Sequence, residues 1–237
     1  MKEKLVIGID YGTDSCRALV INALSGKEVA SYTSFYKRWK SGLYCDPSIN
    51  QYRQHPLDYI ESLEEVIRGA TDQLSAREIA EITAIGIDTT GSTPCLTDNE
   101  GTPLALLPEF RDDPDAMFIL WKDHTSIQEA DDINKRAREW EIDYTSRSGG
   151  VYSSEWFWAK ALHVLRNNSK IRESAYAIIG HCDWMPALLT GNLKPELVKR
   201  SRCAAGHKGM WAEEWNGYPS QEFLSVLDPL LEGFASH

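Results

Sequence analysis

Residues 5–15 read Leu5-Val6-Ile7-Gly8-Ile9-Asp10-Tyr11-Gly12-Thr13-Asp14-Ser15. The apolar run that opens this segment is too short for a helix, so it predicts a buried strand that reaches Asp10. The small residues that follow predict a tight turn, and the segment from Cys16 to Ile21 predicts a strand that returns at once. A P-loop would need Gly-Lys-Ser/Thr leading into a helix, which is not found here. The sequence therefore predicts a β-hairpin at the start of the fold.

The corner of this hairpin carries groups that suit a nucleotide. Gly12 lets the backbone come close to a ligand, and the amides of Gly12, Thr13 and Asp14 are candidates to face phosphate oxygens. Asp10, at the end of the strand, is a candidate to hold Mg²⁺ directly or through water. The same short pattern also suits a hairpin corner with no ligand. Phosphate groups held on a hairpin resemble the arrangement in the actin-like ATPase fold of sugar kinases, actin and the large heat-shock ATPases.

The composition argues against several classes of protein. The chain has 35 acidic and 25 basic residues, a formal net charge of -10, and no basic block, so nucleic acid and anionic membranes are not expected partners. Its apolar runs are too short for a membrane span, and the N-terminus lacks the pattern of a signal peptide. The five cysteines are odd in number and lack Cys-x-x-Cys spacing, which predicts reduced thiols in a cytoplasmic protein. The six histidines are dispersed, so no metal cluster is expected.

The remaining pattern predicts an α/β domain. Strands are predicted at 28–36, 82–88, 118–121 and 175–179. Helices are predicted from residue 56 onward and at 126–140, 156–165, 184–190 and 221–227. Residues 37–55 and 201–210 are predicted to be loops. Ser153 or Ser154 is expected to cap the helix at 156, and Asp183 the helix at 184. With no repeat and no linker, we expect one domain over residues 1–237.

A second predicted strand also ends in an aspartate. Residues 82–88 lead to Asp88, and the polar corner Thr89-Thr90-Gly91-Ser92-Thr93 follows. Ligands gather at the carboxyl ends of strands in parallel or mixed sheets. The corners after Asp10 and Asp88 therefore predict one cleft, with phosphates near the first and substrate hydroxyls near the second. Taken alone, Asp88 is equally well explained as a carboxylate that caps a turn or helix.

The chain resembles the FGGY carbohydrate kinases at residues 121–124, which read Trp121-Lys122-Asp123-His124. Four further segments are similar to that family: Gly86-Ile87-Asp88-Thr89-Thr90-Gly91-Ser92-Thr93-Pro94, Tyr152-Ser153-Ser154-Glu155-Trp156-Phe157-Trp158-Ala159-Lys160, Cys182-Asp183-Trp184 and Cys203-Ala204-Ala205-Gly206-His207-Lys208. The resemblance covers essentially the whole chain, in order. It implies an α/β fold of the actin-like ATPase (ribonuclease H-like) type, with a mixed sheet and flanking helices. Residues 1–237 would be the N-terminal sugar-binding domain, with the C-terminal domain absent.

The resemblance also implies a reaction. The family transfers the γ-phosphoryl group of ATP, with Mg²⁺, to a sugar hydroxyl, and the segments quoted above point to the terminal (5-) hydroxyl of the ketopentose L-ribulose. The family's general-base aspartate lies in a Gly-Gly-x-x-Asp-like segment, which this chain lacks. The resemblance therefore implies half of an enzyme, inactive alone, whose partners are the sugar and the missing C-terminal domain. A homodimer is a further expectation.

The resemblance assigns roles to particular residues. Asp10 would position Mg²⁺, and the residues that would face the terminal phosphates are Gly12, Thr13, Asp14 and Ser15. Gly91 and Ser92 would lie against the sugar, because small residues there leave room for a five-carbon ketose. Lys208 would hydrogen-bond sugar hydroxyls, although a solvated loop lysine explains it as well.

Two further assignments leave alternatives open. Glu155 would reach sugar hydroxyls or would only place a favourable charge in the first turn of a helix. Residues 121–124 are expected to shape the wall of the cleft without a chemical step. A non-catalytic sugar-binding or assembly module of the same fold remains an alternative function. An actin-like or heat-shock-like ATPase would share the fold but would not account for the kinase-like segments.

Overall fold

The computed structural model describes residues 4–235 and divides the chain into two compact units. The first unit comprises Met1–Leu43 and His55–Thr90, and the second comprises Tyr44–Gln54 and Gly91–His237. The strands are β1 (Leu5–Tyr11), β2 (Ser15–Asn22), β3 (Glu28–Phe35), β4 (Cys45–Asp46), β5 (Gln51–Gln54), β6 (Ile82–Thr89), β7 (Pro94–Thr97), β8 (Phe118–Ile119) and β9 (Ala177–Gly180). The helices are α1 (Lys37–Lys40), α2 (Pro56–Thr71), α3 (Ala76–Ala80), α4 (Ile127–Glu139), α5 (Phe157–Asn167), α6 (Ser169–Ser174), α7 (His181–Thr190), α8 (Arg202–Lys208) and α9 (Gln221–Leu227).

The first unit is built on a mixed four-stranded sheet in the order β3-β2-β1-β6. β1 and β2 pair antiparallel, which confirms the predicted hairpin, whereas β1 and β6 run parallel. Helix α2 packs on β2 and β3, as the three- and four-residue spacing of its apolar positions predicts. Tyr59 of this helix makes edge contacts with the rings of Tyr11 and Tyr36.

Alternation along β1 decides which residues of this unit face outward. Ile7 and Ile9 are buried, while Gly8 and Asp10 lie on the opposite side of the strand. The register of the sheet then places Arg17 of β2 and Asp88 of β6 beside Asp10. Three charged side chains thus share the open face of the sheet at the end of β1.

The second unit contains a small β4-β5-β8 sheet and a β7-β9 pair, around a core to which α4, α5 and α9 contribute. Residues 37–55, predicted as a loop, instead contain α1, β4 and β5. This prediction was wrong because β5 is defined by its partner: Arg53 pairs with Ile119 of β8 and Gln54 with Phe118. No local periodicity records such a pairing.

Three smaller predictions also need correction. Helix α7 begins at His181 after Gly180, so Asp183 is not its cap but lies in its first turn, where it accepts the amide of Ser201. Residues 202–208, predicted as a loop, form α8, which Ser201 caps by accepting the amide of Ala204. Neither Ser153 nor Ser154 caps α5, since its N-cap residue Trp156 makes no side-chain cap.

Helices α3 and α6 were not predicted, although the sequence carries a clear signal for α3. Ser75 and Glu78 form a reciprocal capping box at the start of α3. Helix α2 begins at the predicted residue 56, and α4 and α9 begin and end within a few residues of their predicted bounds. Within residues 4–235, no helix combines the length and the apolar character that crossing a bilayer would require.

Candidate functional site

The first candidate site lies on the open face of the first unit. Asp10 and Asp88 are directly opposite each other in the parallel pairing of β1 and β6. Nη1 of Arg17 donates to Oδ2 of Asp10 at 2.9 Å, and both side chains are about half exposed. An open groove of about 480 Å³ runs along this face, and Gly8 and Gly86, two residues before Asp10 and Asp88 on their strands, also line it. Sequence reasoning missed Arg17, although the register of a hairpin that turns at residues 12–14 places residue 17 opposite residue 10.

The hairpin corner is held by its own hydrogen bonds. The amide of Gly12 donates to the carbonyl of Ser15 at 2.9 Å, and the carbonyl of Gly12 accepts from the hydroxyl of Tyr36 at 3.0 Å. Ser15 is buried, and its hydroxyl donates to Oδ1 of Asp14. Gly12 and Ser15 therefore use these groups to shape the corner, and the phosphate contacts of Gly12, Thr13, Asp14 and Ser15 stay a prediction.

The carboxylates of Asp10 and Asp88 fit a magnesium ion that arrives with a nucleotide. Mg²⁺ keeps several waters and is usually bound through one or two carboxylates together with substrate phosphates. Among residues 4–235 there is no group of three or more histidine, cysteine, aspartate or glutamate residues that could hold a metal. The two carboxylates thus suit an ion that is shared with phosphate groups. In this structure Arg17 balances part of their negative charge.

The second candidate site lies in the second unit and is formed by Gly91 and Lys208. The ammonium nitrogen of Lys208 lies 2.7 Å, and its Cε 3.6 Å, from the position that a Cβ atom would take on Gly91. Any larger residue at position 91 would displace the lysine. The structure thus brings together the two residues that the sequence placed in one pocket, and Lys208 ends helix α8 instead of lying in a loop.

The segment that precedes and opens α5 fixes the position of Lys208. The hydroxyl of Tyr152 donates to the carbonyl of Lys208 and accepts the amide of Trp158 at 3.0 Å. The indole of Trp158 donates to the carbonyl of Gly209 at 2.7 Å, and the ring of Trp156 lies 5.5 Å from that of His207. These aromatic residues therefore hold the end of α8.

Ser92 and Lys160 form the other side of this site. Ser92 has a φ of 58°, and its hydroxyl is buried with no hydrogen-bond partner among residues 4–235. Its carbonyl accepts from the ammonium of Lys160 at 2.8 Å. Sequence reasoning gave Lys160 no role, although the residue lies in one of the kinase-like segments.

Glu155 lies beside His124, with 3.4 Å between Oε1 and Nε2, and both side chains are partly exposed. Nδ1 of the same histidine shares a hydrogen bond of 3.0 Å with the hydroxyl of Ser154. Because α5 begins at Phe157, Glu155 is not in its first turn, so the alternative role as a helix charge is wrong. Contact with a sugar stays a prediction for Glu155.

Asp123 does not line a cleft, which corrects its predicted place in the cleft wall. Its side chain is fully buried and accepts from Nε of Arg53 at 2.9 Å, the amide of Tyr52 at 2.8 Å, and both the amide and the hydroxyl of Thr125. Burial by itself would raise the pKa of Asp123, but Arg53 and these hydrogen bonds outweigh burial and hold the pKa below its ordinary value. Asp123 is therefore part of the framework.

Comparisons with known proteins give the context of both sites. Residues 5–214 match the model of the N-terminal domain of the FGGY family of carbohydrate kinases. A ribulokinase from Vibrio parahaemolyticus is 48% identical over 229 residues, covering 96% of this chain and 40% of the relative. A ribulokinase from Halalkalibacterium halodurans is 35% identical over 238 residues, covering 98% of this chain and 41% of the relative. The chain thus spans about two fifths of the length of these relatives.

Solved structures show the same fold. The xylulose kinase from Bifidobacterium adolescentis superposes with a TM-score of 0.72 at 18% identity, covering 98% of this chain and 44% of that protein. The glycerol kinase from Plasmodium falciparum, solved with ADP, superposes with a TM-score of 0.70 at 15% identity, covering 99% and 42%. The predicted α/β fold of the actin-like type, with a mixed sheet and flanking helices, is confirmed.

Proposed function

Because the chain belongs to the FGGY family of carbohydrate kinases, we propose that it is the N-terminal sugar-binding part of an ATP-dependent ribulokinase. The complete enzyme would transfer the γ-phosphoryl group of ATP to the terminal (5-) hydroxyl of L-ribulose. Residues 1–237 would form one of its two domains, and a C-terminal domain would complete the nucleotide site. This chain supplies the sugar contacts and one of the phosphate-facing corners.

The observation that carries the proposal is the ammonium of Lys208 held directly above Gly91. An ammonium offers three hydrogen-bond donors, and uncharged sugar hydroxyls accept such bonds. The absence of a side chain on Gly91 leaves a small space beside the ammonium of Lys208, which suits a compact polyol. Glu155, if it reaches the same ligand, would supply acceptors for the sugar's own hydroxyl protons.

The residues of this chain would bind and orient the reactants. Phosphoryl transfer depends on in-line positioning and on neutralising the charge of the phosphate oxygens. Asp10 and Asp88 would hold the Mg²⁺ of the nucleotide, which supplies part of that neutralisation when bound. Lys208 would hold the sugar by donating hydrogen bonds to its hydroxyl groups. The sequence has no Gly-Gly-x-x-Asp-like segment for a general base, so we propose that this chain binds sugar without turning it over.

Calorimetric titration tests the sugar assignment. We expect the chain to bind L-ribulose, and to bind ketopentoses more tightly than glycerol, with affinity for ATP–Mg²⁺ only around millimolar because one corner makes few contacts. Failure to bind any ketopentose or pentitol would overturn the sugar assignment. Micromolar binding of ATP would show that a complete nucleotide site exists in this chain.

A second experiment separates the kinase from a non-catalytic module. The chain is extended with the C-terminal part of the Vibrio parahaemolyticus relative, and ADP release is measured with L-ribulose and Mg²⁺. We expect ribulose-dependent turnover in the extended protein and none in the 237-residue chain. Sugar binding without turnover in the extended protein would favour the sugar-binding or assembly module. Turnover by the short chain, lost on D10N or D88N, would show that the active site is complete within it.

A further inference from the structure

Lys160 is a buried cation that the reaction proposed above does not use. Lys160 is 1% exposed, and its ammonium donates to the carbonyl oxygens of Ser92 at 2.8 Å, Leu120 at 2.7 Å and Ile119 at 3.4 Å. An ammonium has three donors, and three acceptors meet it here. The acceptors come from two segments far from Lys160 in the sequence, so this one side chain connects them.

A lysine in this place opposes stability. Burial lowers its pKa to about 7, an effect that Asp123 and Glu155 oppose and that Arg53 and Lys208 reinforce. Lys160 is also the fourth residue of α5, near the helix end where a positive charge is disfavoured. A methionine would fill the same space without either cost. The reason for a lysine must therefore lie in the carbonyl groups that it holds.

The most unusual of these acceptors is Ser92. Its φ of 58° is in the left-handed region, where a residue other than glycine is strained, and its buried hydroxyl has no hydrogen-bond partner among residues 4–235. Strain of this kind persists only where the surroundings impose it. The bond from Lys160 to the carbonyl of Ser92 is one such constraint. Ser92 is next to Gly91, so its backbone conformation decides where Gly91 lies beneath Lys208.

We propose that Lys160 is a positioning residue whose ammonium holds the Ser92 backbone in its left-handed conformation and thereby keeps Gly91 in place for the sugar. The inference rests on the proposed function, since the sugar is the ligand for which the corner is held. Lys160 touches no substrate in this scheme and acts through Ser92. The same ammonium also donates to the carbonyl of Leu120, directly before residues 121–124. We call the bonds from Lys160 to Ser92 and Leu120 the clamp, because they tie the Ser92 backbone to that segment.

The test compares wild type with K160M, which removes the donors, and K160R, which keeps the charge and donors. K194M is the matched control, because Lys194 is exposed and its ion pair is with Glu100 on the surface. Two quantities are measured: amide hydrogen exchange over residues 91–93 without sugar, and calorimetric affinity for L-ribulose. We expect K160M to exchange about tenfold or more faster over residues 91–93 and to bind L-ribulose about tenfold or more weakly. K160R should recover most of both losses, and K194M should match wild type.

The two measurements distinguish failure of this inference from failure of the proposed function. A folded K160M with wild-type exchange, or with wild-type affinity in a protein that does bind L-ribulose, would overturn the positioning role. Faster exchange in K160M, in a protein whose wild type binds no ketopentose, would leave the clamp standing and overturn the proposed function. If K160M does not fold, K160R decides. A folded K160R that binds L-ribulose supports the clamp. A K160R that is unfolded, or that is folded and does not bind L-ribulose, would overturn it, because a positive charge with hydrogen-bond donors would then not be sufficient at this position.

Discussion

The ammonium nitrogen of Lys208 lies 2.7 Å from the place that a Cβ atom would occupy on Gly91. That separation is shorter than real Cβ contacts, so the two residues depend on each other: the lysine takes this position only because residue 91 has no side chain. Gly91 does not adopt the left-handed backbone conformation that would itself require glycine. Position 91 is therefore a glycine because Lys208 and its ligand need the space that a side chain would fill.

Substitution of Gly91 should remove sugar binding in proportion to side-chain size. G91A should push the flexible end of Lys208 aside and weaken L-ribulose binding, while G91R should abolish binding because its side chain fills the space. Thermal unfolding of both variants should stay close to wild type, since the backbone at Gly91 tolerates a Cβ and residue 91 is exposed. Unchanged affinity of folded G91R, measured by calorimetry, would contradict the placement of the sugar at this corner.

Removing the charge of Lys208 should weaken binding without destabilising the chain. K208A should lose roughly 1–3 kcal/mol of binding free energy for L-ribulose, the range for deleting a charged hydrogen-bond partner. The carbonyl of residue 208 would still accept from Tyr152, so α8 should stay in place. K194A is the control on an exposed lysine, and an effect of K208A no larger than that of K194A would show that Lys208 is only a solvated side chain.

The buried pair of Arg53 and Asp123 should be a main support of the second unit. Both carboxylate oxygens of Asp123 accept hydrogen bonds, so the amide nitrogen of D123N would face donors at either end. The variant would also remove the charged partner of Nε on the buried guanidinium of Arg53, whose Nη1 would keep only the longer contact of 3.3 Å with the partly exposed Asp115 among residues 4–235. We expect D123N to lower the free energy of unfolding by about 3 kcal/mol or more in urea denaturation.

The control for D123N is E213Q, which breaks the exposed pair of Arg202 and Glu213. Exposed pairs contribute little to stability, so E213Q should unfold at nearly the same urea concentration as wild type. Equal, small effects of D123N and E213Q would contradict the role of the buried pair as a main support of the second unit.

Acid should destabilise the protein through His181. Burial lowers the pKa of His181 to about 3 from its ordinary value near 6.5. Between these two values the unfolded chain binds a proton that the folded chain does not, so stability falls as pH falls through that window. The imidazole should account for a loss of about 2 kcal/mol between pH 7 and pH 5.

Urea denaturation of wild type and H181N at the two pH values measures this loss. Asparagine does not titrate, so H181N should lose about 2 kcal/mol less than wild type over the same interval. Other acid-sensitive groups, such as Glu129, contribute the same loss of stability in both proteins, so their contribution cancels when the two proteins are compared. Parallel curves for the two proteins would show that His181 is not the source of the acid sensitivity.

The sequence alone was sufficient for features that depend on neighbouring residues. A short apolar run predicted β1, the segment that returns at once predicted β2, and the small residues between them predicted the hairpin. The three- and four-residue spacing after Pro56 predicted α2. These patterns are reliable because backbone geometry and burial on one side act over a few adjacent residues. The kinase-like segments added the family, although they left the roles of most of their residues open.

Only the tertiary structure showed which distant residues meet. It placed Arg17 beside Asp10 and buried Asp123 against Arg53. It also showed that the predicted loop at 201–210 contains a helix whose last residue, Lys208, reaches Gly91. Each of these contacts joins two separate segments of the chain. A local sequence pattern indicates which side of an element a residue faces, but it does not indicate which residue of another segment packs against that side. The sequence therefore determined the first hairpin, the main helices and the family. Packing decided which charged residues lie beside Asp10, which carbonyl groups the ammonium of Lys160 meets, and how closely Lys208 approaches Gly91.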